Sequence, residues 1–274
     1  MGIRSFSLLS DTCVLLAACD DFGPNLVVMD FQKESSEAHT FEDLQCVVKF
    51  RYPEFDEQRV FFLDIEIRAD PGPSWKPSTK LQVPFYQDTS NALFVVTLWI
   101  LFEDVVQSLV QFLPSNGLVA SLLETEVPTY YEWEEWGPHS SRFLLPPQPH
   151  SEAWVCYVHG WKYVMSEPGA SDGASEDGFV ARLYDFNQVI INRNYRDTRS
   201  SAVADGWLCK RAGTVLGTIF EDLVETTLPY RSQVLSLGDA HNHCLALCSE
   251  DHIIMVDVSL RQKCFDMLGN ADVL

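Results

Sequence analysis

Apolar residues in this chain gather in short runs, each closed by turn residues. Such runs, bounded by Gly, Pro, Asn, Asp and Ser, predict β-strands. Residues 13–18 and 26–31 form one pair, separated by Asp20-Asp21-Phe22-Gly23-Pro24-Asn25. Residues 59–67 alternate and stop at Asp70-Pro71-Gly72-Pro73. Residues 81–86 and 92–101 flank Gln87-Asp88-Thr89-Ser90-Asn91. Residues 154–158 and 161–165 are separated by His159-Gly160, which predicts a tight two-residue turn that matches strand twist. A strand over 179–186 follows, and 244–248 and 253–258 flank Ser249-Glu250-Asp251-His252.

One stretch reads two ways. Val105, Val106, Leu109, Val110 and Leu113 recur at helical spacing before Pro114, yet they equally suit a buried strand. Helix is expected only in short segments between 105 and 123. Residues 167–178, rich in Gly, Ser and acids, predict a flexible loop. No break in composition divides the chain, so a single domain over 1–274 is expected.

An echo runs through the strand ends: Val28-Met29-Asp30-Phe31, Leu183-Tyr184-Asp185-Phe186 and Met255-Val256-Asp257-Val258. Asp at a strand end is ordinary turn chemistry, but the repetition favours a divergent repeat. Many hairpins with much apolar surface suit an all-β fold of the β-propeller kind, whole or partial, in which small sheets bury their faces on one another. A β-sandwich is the alternative.

Charge narrows the function. The 274 residues carry 39 acids against 19 Lys and Arg, a formal net charge of -20. Neither nucleic-acid binding nor docking on an anionic membrane is expected, because both need clustered cations. The eight cysteines are too sparse for a disulfide framework and predict free thiols in a reducing compartment. Ser10, Asp11 and Thr12 interrupt the apolar stretch before Leu16-Ala17-Ala18-Cys19, so no signal core is read there. The longest apolar run, 92–102, is short for a membrane helix. A cytoplasmic or nuclear location is expected.

Candidate chemistry is thin. His241 and His243 share a strand face by spacing and offer two zinc ligands, which makes a metal-dependent hydrolase on an all-β scaffold the enzyme alternative. No Gly-x-Ser-x-Gly elbow or phosphate loop is present, and no cofactor is expected. Glu134 and Glu135, read as strand neighbours, point to opposite faces and make a poor acid–base pair. More suggestive is Tyr130-Tyr131-Glu132-Trp133-Glu134-Glu135-Trp136, with four aromatics and three acids in seven residues. Between 124 and 185 the chain has eleven acids and three bases. That combination predicts a protein-contact patch at Tyr130, Tyr131, Trp133 and Glu134, suited to a basic partner. Trp136, just before Gly137-Pro138, is expected in the core.

Several phrases, in order, resemble the C-terminal region of the F-box proteins of mushroom-forming fungi. They are Trp133-Glu134-Glu135-Trp136-Gly137-Pro138-His139-Ser140-Ser141-Arg142, Trp154-Val155-Cys156-Tyr157-Val158-His159-Gly160, Leu183-Tyr184-Asp185-Phe186-Asn187 and Thr227-Leu228-Pro229-Tyr230-Arg231, with Ile219-Phe220-Glu221 just before the last. The opening Ser5-Phe6-Ser7-Leu8-Leu9-Ser10-Asp11 is similar to a strand of that region. The resemblance implies a propeller-like, non-enzymatic substrate-recognition region of a ubiquitin ligase adaptor. In that family an F-box binds the Skp adaptor. Here strands are predicted within the first ten residues and no helical F-box precedes them, so Skp binding is not expected of this chain.

Overall fold

A computed structural model describes residues 2–33, 47–70, 92–124, 129–146, 158–168, 179–197, 203–204, 206–236, 244–249 and 252–257. These residues are mostly β, as the pattern predicts. Packing divides the chain into two compact units, Met1–Ser151 with Arg211–Pro229 and Glu152–Lys210 with Tyr230–Leu274.

The first unit opens with an antiparallel meander of β1 (Gly2–Leu8), β2 (Cys13–Asp20), β3 (Gly23–Asp30) and β4 (Val47–Arg51). A second meander follows, β5 (Val60–Ala69), β6 (Leu93–Phe102) and β7 (Val105–Pro114). The chain then runs through α1 (Ser115–Glu124), β8 (Thr129–Tyr131) and α2 (Trp133–Ser140) to β9 (Arg142–Leu144). β9 completes the second sheet beside β7, while β8 joins the first sheet in parallel beside β4. In the second unit come β10 (Val158–His159), β11 (Lys162–Pro168), β12 (Phe179–Asp185), α3 (Gln188–Asp197), β13 (Val203–Ala204) and β14 (Trp207–Lys210). A hairpin, β15 (Thr214–Leu216) and β16 (Val224–Thr226), belongs again to the first unit. β17 (Tyr230–Ser236) then fills the third sheet, in the order β10-β11-β12-β17-β14-β13, and β18 (Cys244–Cys248) pairs with β19 (Ile253–Asp257).

The central strands are buried on both faces. Val14 to Ala18 and Leu26 to Val28 are consecutive buried residues, as are Leu93 to Leu98, Ser108 to Leu113 and Tyr163 to Met165. Successive strand residues point to opposite sides, so a run without alternation means that both sides are covered. In the first unit one apolar core takes Leu15, Val28 and Phe50 from the first sheet, Phe94, Leu98 and Phe143 from the second, and Phe220 and Val224 from the β15–β16 hairpin. Val14, Leu16, Val27 and Val47 form a separate cluster on the opposite face of the first sheet.

The three larger sheets each close one hairpin in the same way. The residue after the third strand donates its N–H to the carbonyl just before the second: Phe31 to Thr12 at 3.0 Å, Ser115 to Ala92 at 2.9 Å and Phe186 to Trp161 at 2.9 Å. The terminal pairs beside these bonds are Cys13 with Asp30, Leu93 with Pro114 and Lys162 with Asp185. The Asp echo sits at this joint. Asp30 Oδ1 accepts from the Gln32 and Lys33 amides at 3.1 and 3.3 Å, and Asp185 Oδ1 from the Asn187 amide at 2.9 Å. In the second sheet Ser115 Oγ does related work, accepting from the Ala92 amide at 2.9 Å. β19 ends on the third Asp of the echo, Asp257, opposite Cys244.

Several expectations are corrected. Of the two readings of residues 105–113 the strand holds, as β7, where burial on both faces of 108–113 removes the alternation and leaves an accidental helical spacing. Helix starts only after Pro114, and α2 and α3 lie beyond the 105–123 window. The first turn of the second unit is Gly160-Trp161, one residue later than predicted, with Gly160 at φ 56°. Glu167 and Pro168 belong to β11 rather than to a loop. Residues 81–86, 154–157 and 169–178 lie outside the described residues.

Candidate functional site

The acidic-aromatic stretch is a strand followed by a helix. β8 lies parallel to β4, with Tyr130 opposite Lys49 and Tyr131 opposite Phe50. At Glu132 the chain turns into α2, and the Glu135 carboxylate accepts the Glu132 N–H at 2.8 Å, one half of a capping box. Glu134 and Glu135 are therefore first-turn residues of a helix, not strand neighbours, where carboxylates favour the positive end of its dipole.

Helical spacing puts Trp133 and Trp136 on one buried face. Trp133 is only 4% exposed and stacks on Phe143 at 5.4 Å and Tyr52 at 6.2 Å, with Trp136 edge-on at 5.0 Å. Trp136 donates from Nε1 to the Arg51 carbonyl at 2.9 Å, as its expected core position requires. Gly137 lies directly under the Trp133 ring, and a Cβ there would overlap that ring. Trp133 thus cannot offer its face to a partner, which corrects its place in the predicted patch. Tyr131 is half-buried and stacked on Phe50 at 5.5 Å. Tyr130, 50% exposed, and the carboxylates of Glu132, Glu134 and Glu135 are what the stretch shows to solvent.

The structure adds residues that the sequence pattern did not single out. Phe22 is at the tip of the β2–β3 turn and is 77% exposed. Arg51 bridges it to the predicted patch: its guanidinium carbon lies 5.1 Å from the Phe22 ring and 5.5 Å from the Tyr130 ring. Lys49 Nζ lies 5.1 Å from the Tyr130 ring, and Arg51 Nη1 meets Glu132 Oε1 at 3.0 Å. An apolar ring in a two-residue turn was the available signal, because such a tip has nothing to bury it.

The other charged groups in view serve the architecture. Arg142, fully buried, donates from Nε to the Leu228 carbonyl at 2.8 Å and from Nη1 to the Ala212 carbonyl at 2.8 Å and Thr214 Oγ1 at 3.0 Å. Arg231 pairs with buried Asp185 at 2.5 Å and lies 4.3 Å from the Trp207 ring. Burial pushes the Asp30 carboxyl up, but hydrogen bonds from the Lys33 side chain and the Gln32 and Lys33 amides outweigh it and hold the group below its ordinary value. Burial raises the Tyr52 phenol well above its ordinary value; its hydroxyl donates to Gln111 Oε1 at 2.5 Å. Cys13, Cys19, Cys209 and Cys248 are free thiols. His241 and His243 lie outside the described residues, and among those described no group of three or more His, Cys, Asp or Glu gathers as a metal site. No described helix is long and apolar enough to cross a membrane.

Several of the phrases singled out in the sequence make contacts inside their own unit. Trp133–Arg142 touches Thr227–Arg231 through the Pro138 carbonyl, which accepts from the Thr227 N–H at 2.8 Å, and the Ser141 carbonyl, which accepts from the Leu228 N–H at 3.0 Å. Within the second unit, Leu183–Asn187 meets Tyr230 and Arg231 through Asp185 with Arg231 and through Tyr184 and Phe186, each 5.6 Å from Tyr230. Phe220 stacks on Phe55 at 5.1 Å, beside the bond from the Glu221 amide to the Glu54 carbonyl. No family model, curated protein or solved structure matches this chain.

Proposed function

We propose that this protein is a recognition module for another protein, built from small antiparallel sheets packed on one another in the manner of a β-propeller. Burial on both faces supports the stacked arrangement, because a two-layer sandwich leaves one side of each sheet in water. The closing bond shared by three sheets supports a repeat of one unit. The resemblance to the substrate-recognition region of F-box proteins points the same way, as part of a ubiquitin ligase adaptor acting in cytoplasm or nucleus.

The observation that carries recognition is the large exposed ring of Tyr130, held in place by its strand and by two cations on an otherwise acidic chain. Tyr and Trp supply much contact energy per residue because their rings are large and lose little freedom on binding. Tyr130 and Glu134 form the contact, with Tyr131 at its edge, and net charge -20 favours a basic partner. The test is affinity capture on the full chain with quantitative mass spectrometry, for the parent and for Tyr130→Ala. A protein retained by the parent and depleted at least about tenfold by the variant supports the reading. If the parent retains no protein above a mock column, the reading is wrong.

A further inference from the structure

We propose that Phe22 and Tyr130 form one cation-accepting surface, and that its occupant is a basic segment of the partner carrying Arg or Lys beside an apolar residue. This rests on the recognition reading above and specifies the chemistry of the contact. Three observations converge. Both rings are exposed, at 77% and 50%, although they come from different strand connections. Arg51 bridges them, at 5.1 Å from one and 5.5 Å from the other, so the electron-rich faces already act as cation acceptors within the chain. Glu132 answers the charge of Arg51 at 3.0 Å, and Asp21 and Glu134, close in the chain to Phe22 and Tyr130, are exposed.

The charge balance selects the occupant. The segments that carry the rings and their cations, residues 20–22, 49–51 and 129–135, hold five acids against Lys49 and Arg51, so they are acidic, as the whole chain is. An acidic segment would meet repulsion both locally and from a net charge of -20. A basic segment gains from both, and its cation has the open side of Phe22 to stack on while an apolar neighbour covers Tyr130. Arginine suits this best, since its flat guanidinium stacks on rings and pairs with carboxylates at once.

The test is fluorescence anisotropy of the full chain against short labelled peptides, one of alternating Arg and Tyr and one of alternating Glu and Tyr. The Arg–Tyr peptide is expected to bind saturably and more tightly than the Glu–Tyr peptide. Phe22→Ala and Tyr130→Ala should each weaken it at least about fivefold. Val189→Ala, a change at an equally exposed apolar residue of the second unit, should leave it within about twofold. Both ring variants lie at the surface, so circular dichroism should show both folded. Absence of saturable binding, equal binding of the Glu–Tyr peptide, or parent-like binding by both ring variants overturns the proposal. If capture succeeds but these peptides do not discriminate, this surface is wrong and the recognition reading stands.

Discussion

Replacing Arg142 with Met should destabilise the first unit severely. The guanidinium is fully buried and reaches carbonyls at both ends of one segment, Ala212 and Leu228, as well as Thr214 Oγ1. It therefore staples residues 211–229 to β9, and that segment brings Phe220 and Val224 into the core. Methionine matches much of the stem but donates nothing. The buried Leu228 carbonyl and the part-buried Ala212 carbonyl then lose a charged donor, at about 1–3 kcal/mol for the first and less for the second. Relief of the buried charge offsets part of this. A net loss of about 3–4 kcal/mol is expected, a large share of the roughly 5–15 kcal/mol that holds a domain. Urea unfolding followed by tryptophan fluorescence measures it, and amide exchange of residues 212–228 should accelerate first. Arg142→Lys should recover only part, since one ammonium cannot span both carbonyls. A Met variant within about 1 kcal/mol of the parent, with unchanged exchange at 212–228, would refute the staple.

Gly137→Ala should cost about 1–3 kcal/mol in the same unfolding assay, because the added methyl enters the Trp133 ring. Asp104→Gly should stabilise by about 0.5–1 kcal/mol, read as a higher urea midpoint, since Asp104 holds φ 63° in the β6–β7 turn, a conformation that glycine adopts freely. Asp30→Asn tests the lowered carboxyl. A group with a depressed folded pKa stabilises above its unfolded value near about 3.9 and loses that contribution as pH falls through the folded value. The parent should therefore exceed the Asn variant in stability at pH 7, and the gap should close in acid; a gap independent of pH would contradict this.

The strand pattern was legible where a hairpin carried its own turn chemistry. The hairpins at 13–30 and 244–257 are located because Asp, Gly and Ser mark their ends, although the first pair runs on to Asp20 and Gly23 and leaves only Asp21-Phe22 as the turn. β7 was not, because its turn is Glu103-Asp104, a pair with no sequence signature for positive φ, and because strands covered on both sides lose their period. α2 escaped for another reason. Its signal is a single Glu132–Glu135 cap and a Trp133–Trp136 pair, which in sequence reads as an exposed aromatic patch. Only the helical turn reveals that both indoles face inward. The same turn leaves Tyr130 outside, and only parallel pairing of β8 with β4 brings it beside Lys49, with Arg51 and Phe22 close by. Residues distant in sequence meet there, so no local pattern could announce the surface.

The most direct test of the account is amide hydrogen exchange of the full chain with and without the protein it captures, read peptide by peptide. The account predicts new protection at the β2–β3 turn around Phe22 and at residues 129–134, with little change in α3 around exposed Val189. Protection confined to α3 or to other segments, with residues 20–23 and 129–134 unchanged, would contradict it.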